Sequence, residues 1–384
     1  MNDTRTYAIL AKPVADLCNL RCEYCYYAEK NELIKTGTSR MSLEVLDNYI
    51  RQCFDMHGKD AVVEFIWHGG EPVLAGIDFY RTALELQKQY GSSRKILNTI
   101  QTNATCLTDE MCELFRDHRF LVGVSIDGPK ELHNKYRRTK NGEDSFEKTI
   151  EGITLLKKYH VPFSTLTTVN STNMDKPQEV YEFLRGITDY MQFLPVVECV
   201  PAEYEENEGQ VFAIPPGIYS YKIKHPVMPF SVTPEGYGRF LCGIFDCWKQ
   251  KDVGRKHVQL IDVTLDNLKG IPSSLCVHNP LCGHSGCVEA NGDVFTCDRY
   301  VFPQYKLGNI METPLENLME KNRRFGKHKT YGLSEECFKC PYVKLCFGGC
   351  PKDRLCENKN YLCEGYKMFF EKIIESGEDL SLGK

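Results

Sequence analysis

The sequence has no run of roughly 18 apolar residues, and no basic stretch followed by an apolar one near its start. The first would be needed for a membrane-spanning helix and the second for a secretory leader, so we expect a cytoplasmic protein without a membrane partner. An excess of positive charge is also missing. The formal net charge of −5 argues against nucleic acid as the main partner.

What the chain does contain is enough apolar material for a large folded core. It is 384 residues long and 42% apolar, which indicates a globular protein of about two or three domains. It also has 19 cysteines, an odd and high number. Disulfide scaffolds are typical of short secreted chains, whereas clustered cysteines in a long chain without a leader more often bind metal.

The cysteines are unevenly distributed. Three lie in one short loop, at Cys18, Cys22 and Cys25, and ten lie between Cys276 and Cys363. The other six are scattered, and we interpret them as small buried apolar residues: Cys53, Cys106, Cys112, Cys199, Cys242 and Cys247.

The first cysteine loop has the spacing C-x3-C-x2-C. Cubane iron–sulfur clusters are normally held by four cysteines, so three thiolates on one loop predict a cluster with one iron left open to another ligand. A tetrahedral zinc site that takes three of its ligands here is the alternative. The softness and number of the ligands favour iron and sulfur.

Predicted strands and helices alternate between residues 5 and 197. Strands are expected at 5–14, 61–68, 95–102, 120–126, 162–169 and 190–197. Helices are expected between them, one capped by Ser42 and another by Thr108. This alternation predicts an α/β fold with a parallel sheet and, from its six units, a partial (β/α)6 TIM-like barrel. Functional groups should then cluster at the carboxyl ends of the strands.

A change of composition marks the end of the barrel. Residues 201–235 are acidic and then proline-rich, which predicts a long surface insertion. A helix near 234–251 and a strand or helix near 256–268 follow, and from Cys276 onward short cysteine- and glycine-rich segments replace the alternation. We therefore assign residues 1–235 to the barrel, 236–275 to a bridging helical segment, and 276–384 to a cysteine-rich domain with a C-terminal helix.

Three motifs at predicted strand ends resemble the cofactor-binding elements of the radical S-adenosylmethionine (SAM) superfamily. They are the cysteine loop with Tyr24 before its third cysteine, Gly69-Gly70-Glu71-Pro72, and Ser125-Ile126-Asp127. In that family the open iron binds the amino and carboxylate groups of SAM. The resemblance implies that the glycines and Glu71 contact the methionyl amine, that Ser125 and Asp127 contact the ribose, and that Tyr24 packs near the adenine. Plain turns and ordinary loop packing are the alternatives.

The downstream cysteines resemble the SPASM extension of radical SAM enzymes. Their spacing is C-x9-G-x4-C, then C-x2-C-x5-C-x3-C, then a last cysteine. The resemblance implies two auxiliary [4Fe-4S] clusters, the first held by Cys276, Cys282, Cys297 and Cys350, and the second by Cys337, Cys340, Cys346 and Cys363. Two structural zinc sites are the alternative. Cys287 and Cys356 do not fit the spacing and are interpreted as free thiols.

A narrower resemblance covers nearly the whole chain. The segments C-N-L-R-C-E-Y-C-Y-Y, W-H-G-G-E-P, I-Q-T-N, S-I-D-G-P, N-G-D-V-F-T-C-D-R-Y and L-C-F-G-G-C-P look like those of anaerobic sulfatase-maturating enzymes. These radical SAM oxidoreductases use a 5′-deoxyadenosyl radical to oxidise a Cys or Ser of a sulfatase to Cα-formylglycine. The resemblance implies three [4Fe-4S] clusters, SAM as cofactor, and Asp298 as the base. A turn residue is the alternative for Asp298.

The same resemblance implies the partners. The substrate would be an unfolded sulfatase polypeptide with a C/S-x-P/A-x-R motif, and the electron donor a flavodoxin or a ferredoxin. The enzyme is expected to act as a monomer. An acidic run is a candidate contact for the substrate Arg, although a solvated charge run is the more common situation: Glu203, Glu205, Glu206 and Glu208.

Two other functions stay open at this point. SPASM enzymes also make thioether or carbon–carbon cross-links in ribosomal peptides, although such enzymes more often carry an N-terminal leader-binding domain. A non-catalytic iron–sulfur electron carrier or a zinc-binding interaction module belongs to a different class. A carrier or a zinc-binding module would not explain a three-cysteine loop with an open position followed by G-G-E-P.

Overall fold

The computed structural model describes residues 7–28, 30–199, 227–355 and 358–377. The chain divides into two compact units. Unit 1 comprises Met1–Ser125, Arg137–Phe163 and Gly283–Lys327, and unit 2 comprises Ile126–Tyr136, Ser164–Cys282 and His328–Lys384. Because these units interleave along the chain, they do not test the boundaries at 235 and 275, which stay predictions. The four glutamates of the acidic run lie outside the described residues.

Six of the ten described strands match the predicted series. The strands are β1 (Ala8–Ala11), β2 (Val62–Trp67), β3 (Lys95–Thr102), β4 (Leu121–Ser125), β5 (Phe163–Val169), β6 (Tyr190–Pro195), β7 (His257–Val258), β8 (Ser285–Val288), β9 (Asp293–Phe295) and β10 (Lys306–Asn309). Near 256–268, where the sequence allowed a strand or a helix, the chain forms a short strand followed at once by a helix.

The helices include the two whose N-terminal caps the sequence predicts, at Ser42 and Thr108. The helices are α1 (Lys30–Ile34), α2 (Leu43–Asp55), α3 (Ile77–Gly91), α4 (Asp109–Asp117), α5 (Lys130–Tyr136), α6 (Phe146–Lys158), α7 (Pro177–Arg185), α8 (Pro234–Lys251), α9 (Gln259–Leu268), α10 (Leu315–Tyr331), α11 (Glu335–Lys339), α12 (Val343–Cys346) and α13 (Cys363–Glu375). The Ser42 and Thr108 hydroxyls accept hydrogen bonds from the backbone N–H groups three residues onward, in α2 and α4, each at 3.2 Å. Both predicted caps are confirmed. Within the described ranges, no helix is long and apolar enough to cross a membrane.

Unit 1 contains a sheet with the order β10-β9-β8-β1-β2-β3-β4. The pairs β1–β2, β2–β3 and β3–β4 are parallel, as the alternating pattern predicts. On the other side of β1 lies β8, also parallel, with Ala8 opposite Ser285 and Ala11 opposite Val288. The cysteine-rich region therefore contributes three strands to this sheet, β8, β9 and β10, which the composition did not indicate.

The strands of unit 1 bury alternate residues. In β2 the side chains of Val63, Phe65 and Trp67 are buried, and the residues between them are more exposed. The ring of Tyr49 on α2 packs edge-on against Phe65 and Trp67, with centroids 5.9 and 6.0 Å away. This contact holds α2 on one face of the sheet.

Unit 2 contains the parallel strands β5, β6 and β7, apart from the first residue of β5. Its helices α8 and α13 pack together, with the rings of Tyr237 and Tyr366 edge to face at 5.9 Å. The predicted C-terminal helix is therefore part of the core of this unit.

Candidate active site and iron–sulfur sites

The first cysteine loop follows β1 directly. Cys18, Cys22 and Cys25 are half-buried, and none of them forms a disulfide. Burial, with a smaller effect from Glu71, raises the pKa of the Cys18 thiol to about 12, and burial also raises the pKa of Cys25. Because iron is bound by the thiolate, cluster binding at this loop would release protons.

Gly70 lies directly against the backbone of the cysteine loop. Its N–H donates to the Ala15 carbonyl at 2.8 Å, and the next N–H, of Glu71, donates to the Leu17 carbonyl at 2.8 Å. A Cβ on Gly70 would overlap the Leu17 carbonyl group. Glycine at this position therefore allows the segment before Cys18 to approach the end of β2 closely.

Replacing Gly70 with Ala should displace the loop and lower its iron content. Overpacking of this kind commonly costs about 1–3 kcal/mol of stability. We expect the iron content to fall from roughly twelve to roughly eight per chain, as one cubane of four irons is lost. Gly58 has open space around its Cβ position, so Gly58→Ala is the matched control. Full iron in both variants, with equal melting temperatures, would show that the close approach is unimportant.

The carboxylate of Glu71 is anchored from two neighbouring elements. It is 1% exposed, and it accepts hydrogen bonds from the Thr102 hydroxyl and the Asn103 N–H, each at 2.7 Å. Burial raises the pKa of Glu71 to about 7, against the effect of these donors. Oε2 receives only the Asn103 bond in the described structure, and a carboxylate oxygen has room for a second donor. Its contact with the SAM amine stays a prediction that this geometry permits.

The other predicted SAM contacts are placed as follows. In unit 1, Tyr24 is buried with the guanidinium of Arg137 at 5.5 Å from its ring centroid, and the Ser125 hydroxyl accepts from Gln101 Nε2 at 2.9 Å. In unit 2, Asp127 is fully buried, and its carboxylate accepts from the Thr168 N–H at 3.0 Å. Asp127 thus supports the β5 backbone, and its contact with the ribose stays a prediction.

Asp298 lies in a short 3-10 turn directly after Cys297. Lys12, which follows β1, places its ammonium nitrogen 2.6 Å from Asp298 Oδ1, and the hydroxyl of Tyr26 donates to Oδ2. The Lys12 side chain is completely buried, whereas that of Asp298 is 20% exposed. The carboxylate is therefore fixed by two partners and still accessible.

A second carboxylate completes this cluster around Lys12. Glu289 Oε1 lies 3.8 Å from the ammonium nitrogen, which also lies 3.1 Å from the centroid of the Tyr27 ring. The Tyr27 hydroxyl donates to Glu289 at 2.6 Å. Burial lowers the pKa of Lys12, but nearby negative charges, that of Asp298 first, outweigh burial and raise it above its usual value. Lys12 is therefore a permanent cation at neutral pH.

Sequence reasoning missed four members of this cluster, namely Lys12, Tyr26, Tyr27 and Glu289. A usable signal was present, because Lys12 ends the apolar segment A-I-L-A-K, where a lysine must find an anionic partner if it is buried. The partner could not be read from the sequence, since both carboxylates lie in a distant part of the chain.

The four predicted ligands of the second auxiliary cluster surround one cavity in unit 2. Cys337, Cys340, Cys346 and Cys363 all line it, together with the aromatic rings of Tyr342, Tyr366 and Phe370. Burial raises the pKa of Cys346 to about 11, helped by the charges of Cys363 and Cys337. Four thiols around one cavity are the ligand set of a cubane cluster. Within the ranges that the structure describes, no three His, Cys, Asp or Glu side chains lie close enough to hold a single metal ion.

Three predicted ligands of the first auxiliary cluster also lie near one another in unit 2. Burial raises the pKa of Cys282 to about 11, and the negative charges of Cys350 and Cys276 raise it further, while the positive charge of Lys329 opposes them. The fourth predicted ligand, Cys297, belongs to unit 1, and its place in the set stays a prediction.

The cysteines outside these sets were partly misjudged. Cys287 is buried, and its thiol donates to Glu289 at 3.8 Å, while Cys356 lies outside the described residues. Of the six scattered cysteines, three are buried as predicted: Cys53, Cys112 and Cys199. The other three are only half-buried, so the interpretation was wrong for them: Cys106, Cys242 and Cys247.

Two family models match the sequence. Residues 13–184 match the radical SAM superfamily, and residues 282–341 match the SPASM iron–sulfur cluster-binding domain. Together with the parallel α/β sheet, these matches confirm the predicted fold class. The chain is a radical SAM oxidoreductase with a SPASM domain, and both domains indicate [4Fe-4S] clusters.

Similar proteins narrow the class to a family. The serine-type anaerobic sulfatase-maturating enzyme of Bacteroides thetaiotaomicron is 42% identical over 95% of this chain and 89% of its own length. The cysteine-type enzyme of Clostridium perfringens is 34% identical over 95% of both chains. A solved structure described as native anSMEcpe with bound AdoMet and Cp18Cys peptide matches with a TM-score of 0.82 and 30% identity, over 97% of this chain and 98% of that one.

The chain belongs to the family of anaerobic sulfatase-maturating enzymes. Members of this family convert Cys or Ser to formylglycine, so the predicted function is confirmed at that level. The comparisons give less support to the alternative of peptide cross-linking, since the relatives that are 42% and 34% identical over 95% of the chain are sulfatase-maturating enzymes.

Proposed function

We propose that this protein oxidises a Ser or Cys side chain in an unfolded sulfatase polypeptide with a C/S-x-P/A-x-R motif. The observation that carries the proposal is the fixed and accessible carboxylate of Asp298, held by buried Lys12 and by Tyr26 of the cysteine loop. A base in this position serves the removal of a thiol or hydroxyl proton. An electron carrier would have no need of it.

Three [4Fe-4S] clusters and SAM complete the proposed enzyme. The ligands are Cys18, Cys22 and Cys25 for the first cluster and the two sets of four cysteines for the auxiliary clusters. When bound, the first cluster and SAM supply hydrogen-atom abstraction through a 5′-deoxyadenosyl radical. The protein supplies the binding site, and Glu71 is the proposed acceptor for the SAM ammonium group.

The proposed role of Asp298 is to remove the hydroxyl or thiol proton of the target residue. In the proposal its carboxylate accepts the proton from Oγ or Sγ of the target residue, within hydrogen-bond reach. Lys12 on Oδ1 and Tyr26 on Oδ2 keep the carboxylate in one orientation. This orientation matters because even a small misplacement of a reacting group slows the reaction. Oδ1 is buried against Lys12, so Oδ2, which keeps a lone pair beside the Tyr26 bond, is the proposed proton acceptor.

The proposed setting is the cytoplasm, with a flavodoxin or ferredoxin as the electron donor and a monomer as the active form. The family resemblance supports the donor, and the monomer is the default in the proposal. Iron–sulfur clusters with an open iron need reducing conditions, which support the cytoplasm.

Synthetic peptides test the proposal most directly. The reconstituted protein would be incubated anaerobically with SAM, a reductant and a peptide that carries Ser, Cys or, as a control, Ala at the target position. We expect the mass to fall by about 2 units for the Ser peptide, or by about 18 for the Cys peptide, as an alcohol or thiol becomes an aldehyde. The Ala peptide should not change.

The pattern of failure would identify which part of the proposal is wrong. If 5′-deoxyadenosine forms but no peptide changes, the substrate is another peptide. If no 5′-deoxyadenosine forms although the iron content is complete, the chain lacks radical SAM activity.

A further inference from the structure

Lys329 is buried among the carbonyl groups of a predicted cluster loop. It lies in the last turn of α10 and is 1% exposed. Its ammonium group donates to the backbone carbonyls of Cys276, Val277 and Asn279 at 2.5, 3.0 and 2.5 Å. One side chain thus closes the loop that carries the first predicted ligand of the first auxiliary cluster.

The charge of Lys329 has no carboxylate partner among the described residues; its acceptors there are the three carbonyls. Burial of an ammonium group without an anion is costly. Burial lowers the pKa of Lys329 to about 8, and the thiols of Cys276, Cys282 and Cys350, which act on it electrostatically, oppose this shift. A [4Fe-4S] cluster with four thiolates carries a charge of about −2 when oxidised, and would be the missing anion.

A second buried cation reinforces this arrangement. The guanidinium of Arg354 donates to the carbonyl of Lys329 at 2.8 Å and to that of Gly348 at 3.1 Å. Gly348 lies in the loop between Cys346 and Cys350, and the charge of Arg354 acts on Cys282. Lys329 therefore adjoins the first auxiliary ligand set alone, whereas Arg354 adjoins both sets, since Gly348 also lines the second auxiliary cavity.

Cations near the second auxiliary cavity are arranged differently. Lys359 pairs with Glu336 at 3.0 Å and with Glu364 at 3.4 Å, and Lys367 pairs with Glu364 at 3.1 Å. The two lysine side chains are 34% and 37% exposed. Carboxylates and water thus offset the positive charge at this cavity.

From this contrast we infer that Lys329 is a positioning residue that raises the reduction potential of the first auxiliary cluster above that of the second. A buried cation stabilises the reduced cluster, which carries one more negative charge, more than it stabilises the oxidised one. The inference rests on the proposed function and its ligand sets. It makes the first auxiliary cluster the acceptor for the electron that substrate oxidation leaves behind.

The balance of the reaction shows why an acceptor is needed. A Ser side chain that becomes an aldehyde loses a hydrogen atom from Cβ to the deoxyadenosyl radical and a proton from Oγ to Asp298. One electron remains, and the C–O double bond forms when that electron leaves. The electron passes to one oxidised [4Fe-4S] cluster, which then carries one more negative charge.

Redox titration of the iron-loaded full chain, followed by EPR, tests the role of Lys329. Cys18, Cys22 and Cys25 would be replaced with Ala throughout, so that only the auxiliary clusters are observed. Lys329→Met should lower the midpoint potential of the first auxiliary cluster by about 59 mV. At a fixed potential, its ratio of oxidised to reduced form should then rise about tenfold, for transfer of one electron. The midpoint of the other cluster should stay unchanged.

Two further variants separate charge from structure. Lys329→Arg keeps the cation and should keep both midpoints, and Lys327→Met removes an exposed lysine from the same helix and should do the same. Unchanged midpoints in a Lys329→Met protein with roughly eight irons would overturn the inference. If Lys329→Met and Lys329→Gln both lose a cluster that Lys329→Arg retains, the role is structural and the inference also fails.

The same experiment distinguishes this failure from failure of the proposed function. If the chain with native Lys329 binds no auxiliary clusters, the ligand assignment itself is wrong. If both auxiliary clusters are complete but their midpoint potentials do not depend on Lys329, only the role of Lys329 in raising the reduction potential is overturned.

Discussion

Replacement of Cys18, Cys22 and Cys25 with Ala should abolish SAM cleavage and leave roughly eight irons per chain, four in each remaining cubane. The loop offers donors that suit a thiolate at Cys18, since the Leu20 N–H lies 3.4 Å and the Asn103 amide nitrogen 3.8 Å from its sulfur. Without the three thiols no group in the loop can hold the iron that binds SAM. Release of 5′-deoxyadenosine and iron content are the two measurements.

A double variant provides the control for the loss of thiols as such. Cys242 and Cys247 lie half-buried on α8, outside all predicted ligand sets. Cys242→Ala with Cys247→Ala should keep roughly twelve irons and full SAM cleavage. SAM cleavage that survives in the triple loop variant would refute the assignment of this loop as the SAM-binding cluster site.

Asp298→Asn should preserve SAM cleavage and lower the yield of formylglycine about 100-fold or more, as expected when a general base is removed. The amide cannot take up a proton at neutral pH. It also brings an NH2 group against either the Lys12 ammonium, which now forms an ion pair with the carboxylate, or the Tyr26 hydroxyl, which now donates to it. Peptide conversion and 5′-deoxyadenosine would be measured in the same samples, so that abstraction and proton removal are separated.

Asp293 offers a matched control for this exchange. Like Asp298 it has a lysine partner, Lys306, at 2.7 Å, but its carboxylate is buried, and it lies five positions upstream of Asp298. Asp293→Asn should leave the formylglycine yield within about twofold, because its carboxylate only supports the adjacent strands. An equal yield from Asp298→Asn and the native protein would remove Asp298 from the mechanism. Loss of iron in Asp298→Asn would point to a structural role.

Local chemistry made much of the fold predictable. The strands of the alternating series were found because β-branched and aromatic runs ended in glycine, proline or asparagine, and α2 and α4 because Ser42 and Thr108 are good caps. The cysteine sets were found because ligand spacing is itself a local property. Of these, the set around the cavity in unit 2 is the one whose four members the structure brings together.

Contacts between distant segments were not predictable in the same way. The Lys12–Asp298 ion pair depends on the register of β8 against β1, and nothing local in either strand specifies that pairing. Asp127 shows the opposite case. Its motif is local and resembles a ligand contact, which stays a prediction, whereas its bond to the Thr168 N–H appears only in the structure.

The place of β8 beside β1 has a consequence for how such a protein can evolve. A chain that lost everything from Cys276 onward would turn β1 into an edge strand, whose unpaired N–H and C=O groups could pair with other molecules. It would lose Asp298 at the same time and leave Lys12 buried without its closest anion. Loss or exchange of the cysteine-rich segment alone would therefore disrupt the first strand of the barrel, although the two parts look separable in sequence.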